Sequence, residues 1–76
     1  MNKYIVRLRK TYRNQFTGEL TGSMPVKSFE TTADSPAKAE NNARYRFGPD
    51  GQRRHWHSVG WGEQMRVECL ECKVVA

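Results

Sequence analysis

No stretch of this 76-residue chain approaches the roughly 20 consecutive apolar residues that a membrane-spanning helix needs. Hydrophobic residues are only 37% of the total, so any core is small and stability is thin without a partner, a metal or a second copy. Cysteine is nearly absent: Cys69 and Cys72 are the only two, too few for the disulfide framework of a small secreted domain. The six glycines are scattered singly, and no glycine-rich phosphate loop or dinucleotide fingerprint occurs. Acid is missing altogether from residues 1–16, which hold Lys3, Arg7, Arg9, Lys10 and Arg13. Those five cations equal the whole net charge of +5. A membrane span, a large substrate-enclosing enzyme and an acidic mimic of DNA are thereby excluded.

The opening residues alternate apolar with charged instead of forming an apolar block, which does not fit a signal peptide. The expected compartment is the cytoplasm, where the two cysteines are reduced thiols or metal ligands. No linker or internal repeat divides residues 1–76, so a single domain is expected.

Residues 3–13 place Tyr4, Val6 and Leu8 on one side and Arg7, Arg9, Thr11 and Arg13 on the other, the pattern of a half-buried strand. Residues 14–25, with Gly18, Gly22 and Pro25, read as a long connection. Residues 26–33 read as a second strand, antiparallel to the first, with Phe29, Thr31 and Ala33 on one face. Asp34-Ser35-Pro36 offers a capping hydroxyl and a proline suited to a first helical position. The helix this predicts spans 36–47, with Ala39, Ala43 and Phe47 as its apolar stripe and Gly48-Pro49 as its stop. Residues 53–59 and 64–75 read as two further strands joined through Gly60-Trp61-Gly62. In the last strand the apolar phase switches at Cys69-Leu70, and a β-bulge there would restore one buried face. The expected fold is α+β: an antiparallel sheet of three to four strands in the order β-β-α-β-β, with one helix on one face. The expected core is Tyr4, Val6, Leu8, Phe29, Ala39, Ala43, Phe47 and Val67.

Three constellations carry possible chemistry. Arg7, Arg9 and Arg13 share a strand face at about 6.5–7 Å spacing, close to that of successive phosphates, although charge also keeps an exposed strand from aggregating. Arg53, Arg54, His55, Trp56 and His57, followed by Trp61, interleave cations with planar rings, as single-strand nucleic-acid binding does. Trp56 is weighed toward the core. Trp61, between two glycines, is a contact residue for nucleic acid or for a protein interface. His55, His57, Cys69 and Cys72 supply the ligand types of a zinc site, but Cys-Leu-Glu-Cys has no residue suited to a tight knuckle turn, so no metal or cofactor is expected. Catalysis has little support: Ser58 adjoins His57, yet neighbouring strand residues point apart, leaving a basic ribonuclease with a histidine base as the one enzymatic option.

The strand Phe29-Glu30-Thr31-Thr32-Ala33 leads into a helix start Ser35-Pro36-Ala37-Lys38-Ala39. This layout resembles the small single-domain proteins that bacteriophages encode to interfere with host machinery, including those of the anti-CRISPR type. The resemblance implies a binder, active in the host cytoplasm, that occupies a surface of a larger complex. The sequence thus leads to a non-enzymatic binding protein, a monomer or weak homodimer. Its basic, aromatic surface contacts nucleic acid or a nucleoprotein through Arg7, Arg9, Arg13, Arg53, Arg54 and Trp61. The alternative is an inhibitor or adaptor bound to an acidic protein surface of the host.

Overall fold

A computed structural model describes residues 1–75. The chain forms β1 (Asn2–Asn14), β2 (Leu20–Ser23), β3 (Lys27–Ala33), α1 (Pro36–Phe47), a 3-10 turn at Pro49–Gln52, β4 (His57–Gly60) and β5 (Glu63–Val74). All strand pairs are antiparallel. The α+β class is as the sequence predicts, but the sheet has five strands, not three or four. The extra strand, β2, lies in the stretch read as a connection. The expected strand 53–59 shrinks to His57–Gly60, because residues 49–52 coil into the 3-10 turn and Arg53 docks its carbonyl on Val67 N–H.

The long β1 organises the sheet. β3 pairs with its first half and β2 with its second half on one side, while β5 runs along the other side and carries β4 beyond it. Thirteen residues at about 3.3 Å each give β1 a span of about 43 Å, which is the molecule's long axis (43 × 17 × 15 Å). The twelve-residue helix reaches only about 18 Å, so it roofs one end of the sheet and leaves the other end uncovered. Ser35 Oγ caps it by accepting from Lys38 N–H at 3.3 Å.

The core lies between α1 and the sheet: Tyr4, Val6, Leu8, Ala33, Ala39, Ala43, Met65 and Val67. The two alanines let the helix sit close to the strands. Phe29 and Phe47, expected in this core, are half-buried at its margin, their rings 6.3 Å apart, because they fall where the helix ends. The bulge falls where the sequence places it. Arg7 pairs with Glu71 and Leu8 with Cys69, which leaves Leu70 as the extra residue. Cys69 and Cys72 therefore stand opposite Leu8 and Val6, both on the helix face.

Arg44 ties the layers together. It is 3% exposed, donates from Nη1 to the carbonyls of Gly51 (2.9 Å) and Val67 (2.7 Å), and pairs through Nε with Glu40 at 2.8 Å. Gly51 packs so tightly here that a Cβ would lie 1.9 Å from the Arg44 carbonyl oxygen. No helix among the described residues is long and apolar enough to cross a membrane.

Candidate binding surface

The face opposite the helix carries alternate residues of β1 and β5. Arg7, Arg9 and Arg13 stand on it in a row, yet each is met by its cross-strand neighbour. Arg7 lies 3.7 Å from Glu71. Arg9 donates from Nε to Glu68 at 2.9 Å. Arg13 donates from Nε to Gln64 at 2.8 Å. The acid missing from residues 1–16 is thus supplied by β5, and two of the three arginines belong to an ion-pair ladder. Glu68 is its centre, accepting also from Thr11 Oγ1 at 3.0 Å, and Thr11 is buried. Burial alone would raise the pKa of Glu68. The hydrogen bonds from Arg9 and Thr11, with the charges of Arg9 and Arg66, outweigh it and hold the carboxyl below its usual range. Glu71 is held low by its hydrogen bond to Lys73 and by the charges of Lys73 and Arg7.

Trp56 folds onto this face, not into the core. The guanidinium carbons of Arg13 and Arg66 lie 4.3 and 4.7 Å from its ring centroid. Arg53 and Arg54 turn elsewhere. Arg53 pairs with Asp50 at 3.2 Å, and Arg54 reaches Glu40 at 3.8 Å and Asn41 at 3.3 Å beside the helix. The expected run from Arg53 to Trp61 is therefore divided among three places. Among the described lysines and arginines, Arg13, Lys27 and Arg46 have no carboxylate within 4.0 Å.

Trp61 sits at the distal tip, 93% exposed, with its ring 5.7 Å from that of Phe16, which is 68% exposed. Leu20 is exposed beside Arg13 in the β1–β2 register. The tip joins two tight turns, and its backbone is fixed. Asn14 Oδ1 accepts from Phe16 and Thr17 N–H at 2.8 and 3.0 Å. Gln15 N–H donates to the Gly62 carbonyl at 2.9 Å, linking the two turns. Gly18 and Gly62 both take φ of +76°, which a side chain would resist. Sequence reasoning found Trp61 but missed Phe16 and Leu20. The signal for Phe16 was the same one: a large apolar ring among turn residues, in Gln-Phe-Thr-Gly.

The histidines and cysteines do not meet. His57 pairs with Met65, four residues along β5 from Cys69, and His55 lies exposed in the preceding loop. No group of three or more histidine, cysteine or acidic side chains is arranged for a metal among the described residues. Burial, followed by Glu40, pushes the Cys69 thiol up to about 11 and also raises Cys72. Comparison of the chain with protein families, curated proteins and solved structures found no match.

Proposed function

We propose that this chain is a small non-enzymatic binding protein that covers a surface of a larger protein, its aromatic tip entering a pocket rimmed by acidic groups. The observation that carries this reading is the near-complete exposure of Trp61, braced by Phe16 on a hydrogen-bonded backbone. A tryptophan on a backbone that is already fixed gives up only side-chain freedom when a partner buries it, and tryptophan dominates interface energies when buried. The net charge of +5 steers the chain toward an acidic face. The sequence resemblance to phage-encoded host-interfering proteins, carried by the strand and helix start at residues 29–39, implies the same mode of action.

A nucleic-acid or nucleoprotein partner is the second reading, and Arg13 favours it. This arginine has no carboxylate beside it among the described residues and sets a cation next to the Trp56 ring, the pairing of groups that single-strand binding uses. Arg7 and Arg9 support it less, being engaged by Glu71 and Glu68.

Affinity capture from host lysate, with and without nuclease, separates the two when followed by titration of a labelled single strand at two salt concentrations. The expected result is nuclease-resistant capture that Trp61→Ala weakens by about 30-fold, the equivalent of about 2 kcal/mol at a central interface residue. Nuclease-sensitive capture, with a single-strand affinity whose salt slope shallows by about 0.7 in Arg13→Ala, would move the conclusion to nucleic acid.

A further inference from the structure

The sheet has two long free edges, and they differ. On β3, the outward carbonyl of Glu30 accepts a 2.6 Å hydrogen bond from Arg46 Nη1, so a side chain blocks strand addition there. On β5, no described element pairs with the outer side beyond Val67, whose N–H is taken by the Arg53 carbonyl at 2.8 Å. Val75 N–H turns inward to Lys3 at 2.9 Å. Antiparallel alternation then turns the backbone groups of Cys72 and Val74 outward. The free stretch runs over residues 69–75, with Cys72 at its middle.

That stretch contains Leu70-Glu71-Cys72-Lys73-Val74. Laid antiparallel against itself about Cys72, it sets Leu70 opposite Val74 and Glu71 opposite Lys73, twice over. Leu70 and Val74 are 43% and 53% exposed in the single chain. Glu71 and Lys73 both stand on the open face, opposite Arg7 and Ile5. Moving the axis by one residue brings Glu71 against Glu71 or Lys73 against Lys73, and directly opposed like charges are destabilising. We propose that the β5 edge is a homodimer interface, in which two copies join β5 to β5 about a two-fold axis at Cys72 and continue one sheet into the other. The contact is isologous, closes on itself and leaves the two aromatic tips free at opposite ends. Its short length places it among small, weak interfaces.

Sedimentation of the full chain from micromolar to millimolar concentration tests this. Wild type is expected to rise toward twice the chain mass. Glu71→Lys alone and Lys73→Glu alone should each weaken association by about tenfold, since each sets two like-charged pairs across the axis. The double exchange, Glu71→Lys with Lys73→Glu, should restore wild-type association. Circular-dichroism melts show whether each variant is folded. Val74→Glu, at an exposed position, provides a further variant expected to abolish association. A wild type that stays monomeric at millimolar concentration overturns the proposal. So does a dimer insensitive to the single reversals, or a double exchange that fails to restore it.

Discussion

The two ends of the sheet are built from the same pair of strands, β1 and β5, yet they treat their apolar residues in opposite ways. At the helix end, Tyr4, Val6, Leu8 and Val67 are shut beneath Ala39 and Ala43. At the distal end, Phe16, Leu20 and Trp61 stay in water. A helix of about 18 Å on a sheet more than twice as long can serve only one end. The difference separates folding from binding. One end supplies the burial that holds the chain together, and the other keeps its rings available.

The strongest way to break the comparison is to attack the covered end. Leu8→Ala should cost about 2–5 kcal/mol in urea denaturation. Arg44→Met should cost about 3–5 kcal/mol, because Glu40 and two buried carbonyls lose their shared partner. Gly51→Ala should cost about 1–3 kcal/mol through overpacking against the Arg44 carbonyl. Trp61→Ala should change stability by less than about 0.5 kcal/mol in the same assay. A Trp61→Ala cost matching that of Leu8→Ala would show the tip to be core and erase the distinction.

Smaller effects sharpen it. The folded pKa of Glu68 lies below its unfolded value, so the ladder's contribution is full above the ordinary glutamate pKa of about 4.3. It is lost as pH falls through the folded value. Melts of wild type and Glu68→Gln should therefore converge as the pH drops below about 4. Cys69, raised to about 11, should react with iodoacetamide at pH 8 at least about tenfold more slowly in the folded chain than in urea. Chelator should leave the melting temperature unchanged. A fall on chelation would show that a metal holds the fold.

Local signals in the sequence reached far into the fold. The Ser35-Pro36 cap and Gly48-Pro49 stop predict the helix at Pro36–Phe47, where the structure has it. The phase switch at Cys69-Leu70 places the bulge, because a period-two pattern has one way to keep a buried face across an extra residue. β2 was illegible, since Leu-Thr-Gly-Ser has no alternation and is a strand only because β1 extends past β3 to receive it. The site was read less well for a physical reason. Along the chain Arg7 and Arg9 stand without acid nearby, whereas in the sheet Arg9 meets Glu68 and Arg7 meets Glu71, about 60 residues away in sequence. Trp56 follows the same rule: a large apolar ring suits a core, but Arg13 and Arg66 on the far face provide its bed.

The pairing of β1 with β5 also bears on how the sheet assembles. Tyr4 meets Val74 and Asn14 meets Glu63, so the longest strand pair in the sheet joins residues far apart in sequence throughout its length. Closing such loops is entropically costly before any contact rewards it, and topologies of this kind fold in milliseconds to seconds, slowly for their size. During folding, β1 and β3 can pair and α1 can form before β5 docks. Val67 and Met65 are then absent from the core, and the β1 edge meant for β5 stands open. Until the twelve-residue β5 docks, the strand at the centre of the finished sheet is therefore the one whose edge lies open.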